Sequence, residues 1–259
     1  MNQLRFEFGQ NWQRFLQVLD DDRISAAEHS LCEMLGLQTL AGMSFLDVGC
    51  GSGLFSLAAR RLGATVHSFD YDANSVLCAR ELKQRYYADD ESWTIEQGSI
   101  LDEQYLSHIG THDIVYAWGV LHHTGAMWQA IDASCRLVRD RGLLFIAIYN
   151  DQGPASRRWA AIKRTYNRSP RPLRAGIILS VGAYFGARAT LRSPLAQLAP
   201  SPRGMSRWHD LVDWVGGYPF EVGKPEDVFH YVRQRGFCLE ALKTWGGDIG
   251  CNEYVFRRL

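Results

Sequence analysis

The chain has 259 residues, enough for one large core or two small ones. Its 46% hydrophobic and 22% charged residues are ordinary for a globular protein, and 28 Lys+Arg against 28 Asp+Glu leave no net charge to point to a polyanionic partner. The opening MNQLRFEFGQ has no basic stretch followed by an apolar run, so no secretory signal is expected, and the longest weakly polar stretch, 175–187, is too short to span a bilayer.

Residues 1–43 are expected to form an N-terminal helical cap. From residue 44 short apolar runs alternate with helical patterns. SFLDVG (44–49) reads as a strand and Leu54 to Leu62 as a helix, with Leu54, Leu57 and Ala58 at helical spacing. A strand at 64–70, a helix from Ala73 to Tyr86, strands at 92–98 and 112–119, a helix from Met127 to Val138 and a strand at 143–150 follow. Strands and helices alternating at this interval imply βαβ units and a parallel sheet, and nearly continuous apolar strands imply burial on both faces.

Residues 151–224 interrupt the alternation. They hold seven of the eight prolines, with twelve Lys and Arg against four Asp and Glu. This segment is expected to be an inserted helical lid over the carboxyl edge of the sheet, where open α/β sheets bind ligands. Pro225 then starts a helix to Arg235 that Gly236 ends, and strands at 237–245 and 252–259 flank a Gly-rich, hairpin-like GGDIGC link. The six cysteines are scattered, with no C-x-x-C, which suits reduced thiols in a cytoplasmic protein and gives no metal site.

The chemistry concentrates in F-L-D-V-G-C-G-S-G, residues 45–53. A strand runs into a tight turn that opens a helix. Gly49, Gly51 and Gly53 let the backbone turn sharply and approach a ligand, and the helix N-terminus offers free N–H groups. Asp70 ends the next strand, 21 residues after Gly49, where a carboxylate can accept hydrogen bonds from both ribose hydroxyls. A nicotinamide dinucleotide site would use G-x-G-x-x-G, which needs glycine where Leu54 stands; the pattern here is G-x-G-x-G preceded by Asp47.

With these residues the chain resembles the class I S-adenosylmethionine-dependent methyltransferases, in particular the small-molecule enzymes similar to those of ubiquinone biosynthesis. The resemblance covers about 44–150 and 225–259. It implies a doubly wound, Rossmann-like sheet of seven strands with an antiparallel terminal strand, and S-adenosylmethionine as cofactor. It implies that Asp47 and the glycines lie beside the methionine and ribose and that Asp70, with Tyr71 next to it, meets the ribose. Ser99 and Ile100, in EQGSILD (96–102), would lie against the adenine; many members carry Asp at the position of Ser99, and Asp102 can serve as a helix cap. Trp118 and Gly119, in DIVYAWGVLHHT (113–124), would line the methionine end.

Methyl transfer from a sulfonium needs alignment and exclusion of water, and a hydroxyl or acidic carbon acceptor also needs a base. His122 and His123 follow the fourth strand at the ligand edge and are the first candidates. His209, beside Asp210, is another. Tyr149 and Asn150 end the fifth strand at the same cleft and are candidate acceptor contacts. Phe6, Phe8, Trp12 and Phe15 are placed either over the cofactor, where rings attract a sulfonium, or against the core. Arg157, Arg158, Lys163 and Arg164 form the densest basic cluster and suit an anionic or carboxylated acceptor, or a solvated helix face. The sequence thus favours methylation of an oxygen, less so carbon or nitrogen, of a small molecule. A lipid-linked acceptor at a membrane surface ranks next, through ILSVGAYFGA (178–187); RNA ranks third, and a non-catalytic cofactor-binding domain is the remaining alternative.

Overall fold

A computed structural model describes residues 6, 9–192, 207–245 and 250–259. Two helices, α1 (Gly9–Val18) and α2 (Asp21–Leu35), precede the first strand. Asp20 caps α2 by accepting a hydrogen bond from the Arg23 N–H (3.0 Å), and Gly36, with φ of 65°, ends it in the left-handed conformation.

The alternating region then runs β1 (Ser44–Val48), α3 (Leu54–Arg61), β2 (Thr65–Asp70), α4 (Ala73–Tyr86), β3 (Trp93–Gln97), α5 (Glu103–Ile109), β4 (His112–Trp118), α6 (Met127–Arg136) and β5 (Val138–Tyr149). Helices α7 (Pro154–Arg168), α8 (Arg171–Arg192) and α9 (Arg207–Gly216) follow, then α10 (Pro225–Arg233), β6 (Phe237–Lys243) and β7 (Cys251–Arg258). Among the described residues the seven strands form one sheet, in the order β3-β2-β1-β4-β5-β7-β6. The pairings from β3 through to β5 are parallel, and β7 is antiparallel to both β5 and β6.

Because side chains alternate along a strand, each central strand feeds two cores. Phe45, Ile114, Tyr116 and Phe145 face α2, α3 and α4 through Leu31, Leu57 and Val76. Leu46, Val115, Ala117 and Ile146 face the opposite layer, with Leu106 of α5, Ile131 of α6 and Val228 of α10. The insertion has a small core of its own, in which Tyr166, Ile178, Val181 and Val215 pack with Trp159, Phe185 and Trp214.

Several boundaries differ from the sequence reading. Helix α6 stops at Arg136, and β5 begins at Val138 rather than Leu143. The extra residues form a bulge: the register against β4 slips between His112 and Ile114, and Arg141 takes a φ of 63°. Helix α5 went unread although its cap was noticed; the Asp102 carboxylate accepts from the Gln104 and Tyr105 N–H groups. The C-terminal helix and β6 each end two residues early, at Arg233 and Lys243. The link between β6 and β7 lies partly outside the described residues, at 246–249.

Candidate active site

The turn after β1 is held by the end of β2. Gly49 and Cys50 donate their N–H groups to the Phe69 carbonyl (2.8 and 3.1 Å). One Asp70 carboxylate oxygen accepts the Gly51 N–H (2.9 Å) and the other the Asp72 N–H (2.8 Å). A single carboxylate therefore fixes the glycine loop and the start of the following loop together. Gly49 has φ of 71°, and a Cβ there would stand 2.5 Å from a Val120 methyl, so both conformation and space demand glycine.

Asp47 is buried beneath this loop in a file of donors. The Trp93 indole N–H donates to Ser68 Oγ (2.9 Å), Ser68 to Ser56 Oγ (2.7 Å), and Ser56 to Asp47 Oδ2 (2.5 Å). Burial lifts the Asp47 carboxyl to about 7; the Ser56 bond opposes the rise and the nearby Asp70 charge adds to it. Neither serine nor the tryptophan stood out in the sequence, since they come from α3, β2 and β3. Helix α1 packs onto α4, and Trp12 lies on the loop: a Cβ at Gly51 would sit 3.0 Å from its indole ring. Of the other N-terminal rings, Phe15 belongs to the core, the Phe6 ring packs near Gly216, and Phe8 lies outside the described residues.

The remaining predicted cofactor contacts rim the same edge. Gly98 N–H bonds the Asp70 carbonyl (3.0 Å), tying the third-strand loop to the second. Ile100 is buried against Phe69 and Leu106, Ser99 Oγ accepts the Leu101 N–H (3.2 Å), and Tyr71 is exposed. Trp118 is half-buried at the end of β4, and Gly119 has open space where a Cβ would stand.

The two histidines separate. His122 is fully buried, and its Nδ1 accepts the Tyr149 N–H at 3.4 Å. It packs against the Tyr149 ring, with centroids 4.0 Å apart. His123 is half-buried, with Nδ1 2.6 Å from the Pro219 carbonyl oxygen. A carbonyl only accepts, so Nδ1 carries the hydrogen and the Nε2 lone pair is the proton-accepting one. His209 falls in α9, but its side chain lies outside the described residues, and so does that of Asp210.

A narrow cleft opens beside these groups, lined by Tyr149, Asn150, Gln152, Ser156, Trp159, Trp214, Phe220 and Gly250. Tyr149 and Asn150 stand at the end of β5 in this lining, and Asn252 of β7 orients Asn150 by donating from Nδ2 to its Oδ1 (3.1 Å). The basic cluster divides. Arg157, Arg158 and Arg164 are exposed, whereas Lys163 is fully buried, so it does not belong to a solvated patch. Its ammonium donates to the Trp214 carbonyl and stands over the rings of Trp214 (4.1 Å), Phe220 (4.9 Å) and Tyr149 (6.0 Å). Burial lowers Lys163 to about 7. Glu221 also went unread. Its carboxylate accepts the Met127 N–H (3.1 Å) at the start of α6, and its own N–H bonds the His122 carbonyl (3.0 Å). Among the described residues no group of His, Cys, Asp and Glu is arranged to hold a metal ion.

Residues 19–177 match the family described as methyltransferase domain. The chain belongs to that family, as a class I S-adenosylmethionine-dependent methyltransferase. Among curated relatives, a ubiquinone biosynthesis O-methyltransferase of Methylobacterium sp. is 29% identical over 128 residues, 49% of each chain. One of Klebsiella pneumoniae is 31% identical over 118 residues, 45% of this chain and 46% of the relative. The chain thus spans about half the length of the curated relatives it matches. Of solved structures, magnesium protoporphyrin IX methyltransferase from Synechocystis with bound S-adenosylhomocysteine superposes with a TM-score of 0.58 at 16% identity, covering 96% of this chain and 95% of that one. The [4+2]-cyclase SpnF superposes with a TM-score of 0.54 at 12% identity, covering 89% and 79%. Both likenesses concern the fold.

Proposed function

We propose that this methyltransferase moves the methyl group of S-adenosylmethionine to an oxygen of a small acceptor carrying an aromatic or acidic group. The observation that carries the reading is the Asp70 carboxylate clamped on the Gly51 N–H at the edge of the sheet. The residues fit the cofactor: Asp70 for the ribose hydroxyls, the glycine turn for close approach, and the open space at Gly119 for the methionine end. Bound there, S-adenosylmethionine supplies a methyl group already activated on a sulfonium. The chain's own contribution is placement, dryness and removal of one proton. Trp12 and the loop cover one side, and the rings of Tyr149 and Phe220 at the narrow cleft meet the acceptor. His123 takes the hydroxyl proton on Nε2 while Pro219 holds the imidazole in the required tautomer. Oxygen is favoured over carbon and nitrogen because the relatives matched at 29–31% identity are named O-methyltransferases. The cytoplasm is the compartment that suits the six free cysteines of the described structure.

Thermal unfolding with S-adenosylmethionine, S-adenosylhomocysteine, NAD and NADP in parallel tests the cofactor. At about 100 times Kd a ligand stabilises by roughly 2.7 kcal/mol, a rise in Tm of about 5 °C or more for a chain of this size. A rise with the first two alone supports the reading; a rise with a nicotinamide cofactor alone overturns it. With a methylatable phenol or carboxylic acid in hand, His123→Ala is expected to lower kcat by about 100-fold or more. Full turnover in that variant removes the base.

A further inference from the structure

The two helices that follow β5 have outward faces of an unusual kind. Residues 154–192 contain nine Lys and Arg and no Asp or Glu. On α7 the buried side is Ser156, Lys163, Tyr166 and Asn167. Its opposite side carries Arg157, Arg158, Arg164 and Arg168, all exposed. At 100° per residue these four fall within one arc of the helix. Helix α8 packs inward through Ile178 and Val181, and its outward side holds Leu173, Leu179 and Tyr184, which are 60%, 62% and 49% exposed. From Ala175 to Ala187 that helix has no charged residue on any side, while arginines stand at 171 and 174 before this stretch and at 188 and 192 after it in sequence. A solvated helix normally shows its charges outward and its leucines inward. Here an uncharged outer face about 20 Å long adjoins an arginine face.

We infer that the outward faces of α7 and α8 form a docking surface for an anionic phospholipid bilayer, with α8 lying in the plane of the interface. The charge selects the partner. A second copy of the chain meeting this surface symmetrically would set arginine face against arginine face. RNA would satisfy the arginines but would leave Leu173 and Leu179 against phosphate and sugar, with Tyr184 as the exposed large ring of α8 to stack on. An anionic bilayer answers both features: phosphate headgroups pair with guanidinium groups, and the leucines and tyrosine enter the headgroup–acyl boundary. No helix among the described residues is long and apolar enough to cross the membrane, which fits a helix lying on the surface.

The test is sedimentation of the full chain with sucrose-loaded vesicles of phosphatidylglycerol and phosphatidylcholine, against vesicles of phosphatidylcholine alone. The chain is expected to sediment with the anionic vesicles at low salt and to be released as screening shortens the reach of the charges. Each basic residue at such a surface contributes about fivefold, so Arg168→Glu with Arg171→Glu should lower vesicle affinity about 25-fold or more. Leu179→Glu should lower it about tenfold without altering Tm, because its side chain is exposed. Failure to sediment with anionic vesicles overturns the proposal. So does a dimer that Leu179→Glu dissociates while vesicles stay unbound, and so does binding of a single-stranded RNA by a chain that ignores vesicles. Equal loss of Tm and of sedimentation in both variants would reassign these residues to the packing of the insertion.

Discussion

Lys163→Met removes a buried charge. The ammonium is fully buried, with the Trp214 carbonyl and three rings around it. A fall from 10.5 to about 7 corresponds to about 5 kcal/mol of cost for the charged form in the folded state. Methionine fills a similar volume but leaves the Trp214 carbonyl without its donor, which costs about 1–3 kcal/mol. At pH 7 the variant should therefore be about 2–4 kcal/mol more stable than the parent. The sign with pH is firmer. Lys163 titrates lower in the folded chain than in the unfolded one, so between about 7 and 10.5 the unfolded chain binds more protons and parental stability rises with pH. Urea unfolding at several pH values in that window should show the parent gaining up to about 5 kcal/mol on the variant. A difference that stays flat across it, or a loss above about 3 kcal/mol in Lys163→Met at pH 7, would refute the account of a strained buried ammonium.

Asp70→Ala should weaken S-adenosylhomocysteine about 100-fold by calorimetry, because it removes the ribose acceptor along with two bonds that shape the loop; a change under threefold would contradict the site. Gly49→Ala should cost about 2–4 kcal/mol, part from the positive φ and part from Val120, and adding Val120→Ala should recover only the second part in urea melts. Asp47 titrates higher folded than unfolded, so its contribution to stability is greatest below about 3.8 and is lost as pH rises through about 7. Cofactor binding runs the other way: the ligand's cationic centres favour the ionised carboxylate, so affinity should rise from about pH 6 to 8 in the parent and stay level in Asp47→Asn.

What was readable in the sequence follows from which constraints are local. The glycine loop, Asp70 and the parallel strands announce themselves through backbone geometry and apolar runs, and the family resemblance rests on the same residues. Helix α5 escaped because EQYLSHI is one short turn pair with Leu106 as its buried residue, too little to establish a period. The start of β5 escaped because a bulge has no hydrophobic signature. Lys163 reads as part of a basic run, yet it stands seven residues from Ser156 and four before Asn167, on the inward side of α7, whereas its arginine neighbours face out. That spacing was the available signal. Glu221 gave none, because the N–H it caps is 94 residues away in the chain.

The bond from His123 to Pro219 also determines what a change of acceptor demands. Pro219 belongs to the stretch by which the chain leaves the helical insertion, and Glu221, two residues on, fastens that stretch to the start of α6 and to the His122 carbonyl. The same few residues therefore line the cleft, through Phe220, and choose which nitrogen of the imidazole bears its hydrogen. On the proposed reading, one stretch thus shapes both the acceptor's seat and the base. Variation in the helices upstream can reshape what is seated while the proton's destination stays constant, provided the return stretch from 218 to 221 keeps its place.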